Sequence, residues 1–397
     1  MSTVGWLGLG KLGLPCADTL AGCGHDVYGW DPRPPADPGR VKTAPLADVI
    51  AATDGLVFVC VQTPHSPAFG GDRPVPGPPR DFDYTTLVHA VREVAGEAVT
   101  QRKPVVVVVI STVLPGTTRA RLMPLLRGTP AKLVYGPYFP AMGTEAADFL
   151  DPEFQLLGGD DQAALATAAA LYKTVHGAPL RIVSVESAEL AKVAYNCWIT
   201  SKIVWANMIG ELCDATGADA DEVSGTLALA TRRVLSPAYM RAGMGDGGAC
   251  HPRDLVALSW LSQKSGLSAD LAGFLAAARE SQSERLAELV KYQHELTGLP
   301  VCVLGRAFKP GVAMTDGSAA LLLIRQLEDA GVPVTSWDPL INQKSDRPGR
   351  VPRVFVVATA HEEILRMGFA GGSVVVDPHG LMEPRPGVVL VTPGRRR

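Results

Sequence analysis

One cysteine in this chain of 397 residues sits where a thiol could react. The segment Gly243-Met244-Gly245-Asp246-Gly247-Gly248-Ala249-Cys250-His251-Pro252-Arg253-Asp254 places four glycines in the six positions 243–248, just ahead of Cys250. Backbone stripped of side-chain bulk can approach a substrate closely, and His251 and Arg253 favour the thiolate, the form that attacks carbon. Asp254, four residues on, is placed to orient a water or a basic partner. A second group lies upstream. Glu189, Lys192 and Asn196 are spaced three and four apart and so share one face of a helix. Their neighbours Leu190, Val193, Ala194 and Cys197 are apolar, which predicts that Lys192 and Asn196 are held at a buried cleft. A desolvated lysine is readily tuned as acid, base or oxyanion stabiliser. Taken singly, a solvated helix face and a packed core thiol are also compatible with these residues.

A third group opens the chain. The strand Thr3–Leu7 runs into Gly8-Leu9-Gly10-Lys11-Leu12-Gly13, then a helix from Leu14 to Cys23, then a strand Val27–Trp30 that closes on Asp31. This strand–turn–helix setting, with an acidic residue 18 positions after the last glycine, is what a dinucleotide pyrophosphate requires. Gly8 permits the tight turn, Gly10 lets backbone approach the pyrophosphate, and Gly13 lets helix pack on strand. The helix N-terminus supplies amide donors. Asp31 is expected to bind the adenosine ribose hydroxyls and to repel a 2′-phosphate, which selects NAD, with Arg33 tempering that preference. Lys11, Leu12, Thr63, Pro64, Ser111 and Thr112 complete the expected cofactor contacts.

The elements that must hold these groups follow from the apolar runs. Leu56–Val61 ends in Gln62-Thr63-Pro64, Val105–Ile110 ends in Ser111-Thr112, and Leu133–Tyr135 follows. Unbroken Val/Ile/Leu runs mean strands buried on both faces, hence a parallel sheet with ligands at its carboxyl edge. Ser66–Pro79, rich in Gly and Pro, reads as an irregular loop. The carboxyl third repeats the grammar: strand Val301–Leu304 into Gly305, helix Ala319–Ala330, strand Val334–Trp337 closing on Asp338-Pro339, strand Val354–Val357. It lacks GxGxxG, so no second NAD is expected there. Between them, about Ser187 to Tyr292 is helical in pattern, with one long helix from Ser187 through Cys213. The expected architecture is α/β: a Rossmann-type NAD domain (1–186), a central helical region (187–296) through whose long helix the chain forms a homodimer, and a second Rossmann-like domain (297–397).

Composition excludes several classes. A net charge of −3 gives no basic field for nucleic acid, and Arg395-Arg396-Arg397 is a solvated tail. No apolar run reaches the ~18 residues of a membrane helix. No basic segment precedes the first strand, so no secretory signal is expected. Seven scattered cysteines without a CxxC form neither a disulfide framework nor a zinc site, which points to a reducing, cytoplasmic compartment and to no structural metal.

With these motifs in order, the chain resembles the UDP-glucose/GDP-mannose 6-dehydrogenase family throughout its length. Gly8 to Pro15 is similar to the amino-terminal fingerprint, and Ser111-Thr112-Val113-Leu114-Pro115-Gly116-Thr117 to STVxPGT. Gly143-Thr144 with Asp148-Phe149-Leu150 resembles GTAxxDFL, Glu189 to Asn196 the ELxKxxxN helix, and the Cys250 loop GGSCFPKD. Phe308-Lys309-Pro310 with Ser318 resembles FKPxTDDxRxS. The resemblance implies that two NAD oxidise a nucleotide-sugar C6 alcohol to the carboxylate through a thiohemiacetal and a thioester on Cys250. It implies that Lys192 and Asn196 stabilise the oxyanion, and that Asp254 and Thr112 position lysine and water. Substrate contacts are expected from Tyr138, Phe139, Lys192, Asn196, Tyr239, Arg241, Gly243, Gly247, Phe308 and Lys309.

The chain also departs from the family. Where the family reads PEFLxEG, this chain reads Pro137-Tyr138-Phe139-Pro140-Ala141-Met142-Gly143, so Tyr138 and Met142 replace two glutamates. Glu145 and Asp148 are the candidate replacements as base. Asp316 stands for the arginine that reaches substrate phosphate, a repulsion of about 1–3 kcal/mol if partly buried, and Asp246 stands for an aromatic. Three other readings follow: a two-electron oxidation stopping at the aldehyde, a β-hydroxyacid dehydrogenase, and an NAD-binding sensor without activity.

Overall fold

The computed structural model describes residues 1–64, 80–140, 143–236, 242–244, 250–343, 346–349 and 351–395; among these the side chains of Cys250, Arg253, Asp254 and Ala257 lie outside the description. The expected loop Ser66–Pro79 lies outside the described residues. The chain forms two compact units, Met1–Ser201 and Lys202–Arg397.

In the first unit, strands β1 (Thr3–Leu7), β2 (Asp26–Trp30), β3 (Lys42–Thr43), β4 (Leu56–Val59), β5 (Val105–Val109), β6 (Ala131–Tyr135), β7 (Gln155–Gly158) and β8 (Leu180–Val183) build one sheet. Its order is β3-β2-β1-β4-β5-β6-β7-β8. Every pairing is parallel except β6 with β7, which meet at Tyr135 and Gly158. The sheet reverses its winding between β1 and β4, where a doubly wound sheet opens a crevice at its carboxyl edge. Successive strand residues face opposite sides. Thus Trp6, Phe58, Val108 and Val134 enter one core, while Leu7, Val57, Val59, Val107 and Val109 enter the other.

Helices cover both faces: α1 (Gly13–Gly22), α2 (Leu46–Ala52), α3 (Thr85–Thr100), α4 (Glu145–Leu150) and α5 (Gln162–Tyr172). In α3 the buried residues Leu87, Ala90, Val91, Val94, Ala95 and Ala98 recur at three- and four-residue spacing, the signature of one apolar helix face. Next comes α6 (Val185–Thr216), longer at both ends than the stretch from Ser187 to Cys213 read from the sequence. The boundary between the compact units falls inside it, whereas the sequence reading divides the chain at 186/187 and 296/297.

The second unit contains α7 (Ala220–Ala228), α8 (Cys250–Lys264) and α9 (Leu271–Thr297), then β9 (Val301–Leu304), α10 (Ala319–Asp329), β10 (Val334–Trp337), β11 (Val354–Val357), α11 (Glu362–Leu365), β12 (Val374–Val376) and β13 (Val389–Val391). Its five strands are parallel in the order β10-β9-β11-β12-β13. Asp270 caps α9 by accepting the Gly273 N–H at 2.8 Å, and Gly298 ends that helix at φ +66°, a conformation glycine adopts without strain. Among the described residues, no helix is long and apolar enough to cross a membrane.

Candidate active site

The glycine turn after β1 has the geometry its sequence demands. Gly8 takes φ +90°, and its N–H donates to the Trp30 carbonyl at 2.9 Å. A Cβ there would lie 2.3 Å from the Cys60 carbonyl oxygen, and one on Gly13 would lie 1.9 Å from the Gly8 oxygen. Gly10 differs: among the described residues, a Cβ there would meet nothing within 4 Å. That open face suits a ligand approaching the backbone, and no side chain caps the N-terminus of α1. Asp31 closes the turn, its Oδ2 accepting from the Leu9 N–H at 2.9 Å and its Oδ1 from the Arg33 N–H at 2.8 Å. A carboxylate has about four acceptor positions, so two remain for ribose hydroxyls. Lys11 and Arg33 are exposed and Leu12 is half-buried beside this turn. The residues therefore fit a dinucleotide.

The carboxyl ends of β4 and β5 are stitched together. The Ser111 hydroxyl donates to the Val61 carbonyl at 2.6 Å and accepts from the Val61 N–H at 3.1 Å. The Thr63 hydroxyl donates to the Thr112 carbonyl at 2.8 Å, with exposed Pro64 next to it. Ser111 and Thr63, expected to meet the cofactor, thus spend these hydroxyl contacts on holding the strand ends in register. The Thr112 side chain is half-buried on the loop so fixed.

Along α6 the expectation divides. Lys192 is 8% exposed, but Leu190 is 55% exposed, and Ala194, Asn196 and Cys197 are also exposed. Asn196 is therefore not in a buried cleft of this chain. The segment after β6 packs on the first turns of α6, the stretch from Ala194 to Cys197 lies past it, and burial resumes at Met208, Leu212 and Cys213. The Lys192 Nζ donates to the Tyr138 carbonyl at 2.6 Å and lies 4.7 Å from the centre of the Phe139 ring. Phe139 in turn packs on Phe154 and Tyr195, with ring centres 4.9 and 5.1 Å away. Burial lowers the lysine pKa from its ordinary value to about 8. No described ion pair includes Lys192. Its ammonium has three donors and one described protein acceptor, which leaves room for an oxygen of a ligand.

Tyr138, expected at the substrate, is instead a core aromatic. Its hydroxyl donates to the Glu145 carbonyl at 2.9 Å and its ring packs edge-on against Phe149. Only its backbone carbonyl reaches the site. Of the two candidate bases, Glu145 sits in the first turn of α4, where backbone N–H groups hold its carboxyl below the ordinary value. Asp148 accepts from the Thr144 hydroxyl at 2.7 Å. Met142 lies outside the described residues.

Sequence reasoning did not foresee the role of Glu189. This carboxylate is fully buried and accepts from the Gly116 N–H at 2.6 Å and the Thr118 N–H at 2.7 Å. Its spacing from Lys192 was the available signal, but its partners lie more than seventy residues away in the chain.

In the second unit, Cys250 is the first residue of α8 rather than part of a loop. The side chains of Cys250 and Asp254, and residues Tyr239, Arg241, Asp246 and Gly247, lie outside the described residues. Gly243 is exposed, and a Cβ on it would come 2.9 Å from His379 Nδ1. Phe308 is half-buried, with the Lys309 ammonium 5.5 Å from its ring centre. Asp316 is exposed, so water screens the repulsion expected of it toward a phosphate.

Sequence models of the UDP-glucose/GDP-mannose dehydrogenase family match residues 36–176 (NAD binding domain) and 186–282 (central domain). The UDP-glucose 6-dehydrogenase AglM of Haloferax volcanii is 28% identical over 371 residues, covering 85% of this chain and 83% of that protein. A GDP-mannose 6-dehydrogenase of Azotobacter vinelandii is 28% identical over 370 residues, covering 85% and 81%. The crystal structure of a ternary complex of GDP-mannose dehydrogenase from Pseudomonas aeruginosa shares the fold, with a TM-score of 0.83 at 23% identity over 98% of this chain and 99% of that one.

Proposed function

This chain belongs to the UDP-glucose/GDP-mannose dehydrogenase family, and from that premise we propose that it oxidises the C6 primary alcohol of a nucleotide sugar with NAD as acceptor. The observation that carries the reading is Lys192, a buried ammonium with one described protein acceptor and a pKa near 8. Burying a cation without a carboxylate is costly, and a substrate oxygen is the partner that offsets the cost.

NAD supplies the hydride acceptor, twice for each alcohol taken to the acid. Gly8, Gly10 and Gly13 would admit its pyrophosphate, the uncapped N-terminus of α1 would donate to it, and Asp31 would hold the ribose. Lys192 in its amine form takes the hydroxyl proton, and as ammonium it steadies the aldehyde oxygen. The Cys250 sulfur adds to the aldehyde carbon to give a thiohemiacetal. Its oxidation leaves a thioester, which water opens, releasing the carboxylate and returning the thiol. Support for this role comes from the motif around Cys250 and from its place at the start of α8, since a helix N-terminus favours a thiolate. Asn196, Asp254 and Thr112 are assigned catalytic roles by the same resemblance. Phe139, Tyr239, Arg241, Gly243, Gly247, Phe308 and Lys309 are assigned to the substrate.

We assign 1–186 to the cofactor, 187–296 to the catalytic and dimerising helices, and 297–397 to the nucleotide. The homodimer is supported by apolar side chains left open on α6: Trp198 at 55%, Ile199 at 42% and Ile203 at 55% exposure. Exposed large apolar side chains in such a row suit a second copy. Reduced thiols and NAD suit the cytoplasm.

The test is turnover of UDP- and GDP-linked sugars with NAD, counting NADH per substrate consumed. Two means the acid. One means the aldehyde, a second reading favoured by Tyr138, which occupies a family glutamate position yet offers no free base. Cys250→Ser is expected to block the second oxidation. NAD binding without any turnover would overturn the reading in favour of a sensor.

A further inference from the structure

We propose that Glu189 is a positioning residue for this reaction: its buried carboxylate clamps the loop that carries Thr112 to the turn of α6 that carries Lys192. This rests on the functional reading above. The geometry is a continuous chain of contacts. At one end, Ser111 and Thr63 hold the loop after β5 to the end of β4. In the middle, the Leu114 N–H donates to the Tyr84 hydroxyl at 3.2 Å. At the far end, the two Glu189 oxygens take one N–H each, from Gly116 and Thr118. One helical turn later, Lys192 is tied to the Tyr138 carbonyl beyond β6. The loop from one strand and the segment after its neighbour are thereby joined through a single turn of helix.

The chemistry of the clamp makes it rigid. An ionised carboxylate accepting from two backbone N–H groups forms charge-assisted bonds, about twice as strong as neutral ones. Gly116 takes φ +89°, so the turn presenting these donors needs glycine at that position. Glu189 is fully buried, and water cannot replace a lost partner without opening the site. Arg119, one residue past the clamp, is neutralised separately by Asp160 and Glu186. Glu189 touches no reacting atom in this account. It acts through the placement of Lys192 relative to the Thr112 loop.

Glu189→Gln tests this. The amide nitrogen cannot accept an N–H, so one bond is lost and two donors face each other. Misplacement on the order of 1 Å costs about 100-fold. The expected result is a kcat lower by about 10- to 100-fold, with the NAD Kd, read by calorimetry, within about twofold of the parent. Glu189→Asp keeps the charge but is shorter by one methylene, and should recover part of kcat. If the Gln variant does not fold, the Asp variant carries the test by the same split. A folded variant whose kcat stays within about threefold, or whose NAD affinity falls as far as kcat, overturns the proposal. Amide exchange across residues 111–122 reads the clamp without substrate and is expected to accelerate in Glu189→Gln. Unchanged exchange overturns the clamp even if the parent oxidises no nucleotide sugar, an outcome that instead defeats the functional reading.

Discussion

The turns that follow β1 and β9 start from the same local geometry and reach different ends. Gly8 and Gly305 take φ +90° and +88°, and their N–H groups donate to the carbonyls of Trp30 and Trp337 at 2.9 and 2.8 Å. An aspartate follows each tryptophan. Beyond that the turns diverge. After Gly8, α1 begins at Gly13 with no side-chain cap, Gly10 faces open space, and Asp31 is only half-buried. After Gly305, the next helix waits until Ala319 and is capped by its own Ser318, which accepts the Ala320 N–H at 3.1 Å. Asp338 is fully buried and accepts from the N–H groups of Arg306 at 2.6 Å, Ala307 at 2.9 Å and Leu340 at 2.9 Å, with His361 Nε2 at 3.3 Å. Burial pushes the Asp338 carboxyl up, but the hydrogen bond from His361 and those from the backbone hold it well below the ordinary range. The glycine–aspartate pairing is thus a device for closing a strand onto a turn. A cofactor site arises only where the fold leaves donors and acceptors over.

The largest effects should come from filling the two turns. Gly13→Ala and Gly305→Ala both drive a methyl into fixed atoms, 1.9 Å from the Gly8 oxygen and 2.4 Å from the Thr359 Cβ. Each should destabilise its unit by about 2–3 kcal/mol in urea unfolding, but only Gly13→Ala should abolish NAD binding. Loss of NAD binding in Gly305→Ala would break the comparison. Next come the aspartates. Asp338→Ala strands three backbone N–H groups and should cost about 1–3 kcal/mol, leaving the NAD Kd unchanged. Asp31→Ala should weaken NAD by about tenfold, equivalent to ~1.4 kcal/mol, with a smaller loss of stability. Gly10→Ala sharpens the point further. It should leave stability within about 0.5 kcal/mol while weakening NAD, since among the described residues no atom lies within 4 Å of a Cβ placed there.

A separate effect is a slope with pH. The pKa of Lys192 falls from 10.5 in the unfolded chain to about 8 when folded. Between these values the unfolded state binds more protons, so stability rises as pH rises from 8 to 10.5. Below 8 the buried charge is a full penalty. Lys192→Met should flatten this segment of the stability profile of the first unit and raise stability at pH 7. An unchanged slope would mean that the lysine is not buried in solution. Lys192→Arg, which cannot shed its proton in this range, should remove the rise of kcat near pH 8.

The first turn was legible because everything that defines it is local: strand, glycine spacing, helix start and the aspartate lie within thirty-one residues. The echo in the carboxyl third was legible for the same reason. The α6 face was legible only in part. Spacing puts Glu189, Lys192 and Asn196 on one side of a helix, but what covers that side comes from β5 and β6, fifty or more residues distant. That covering buries Lys192 and leaves Asn196 exposed. Tyr138 was placed at the substrate by its position in the motif, whereas its hydroxyl is satisfied inside the core and its backbone carbonyl faces the lysine.

The sequence by itself determined the wound α/β class, the glycine turn after β1 with its closing aspartate, and the family. These depend on periodicity and short spacing, which a chain carries wherever it lies in space. Tertiary structure alone decided that Lys192 is desolvated, that Glu189 holds the Thr112 loop, and that Asp338 is consumed internally while Asp31 retains free acceptor positions. Each of these depends on which distant backbone groups reach a side chain, and burial and hydrogen-bond satisfaction are properties of that packing.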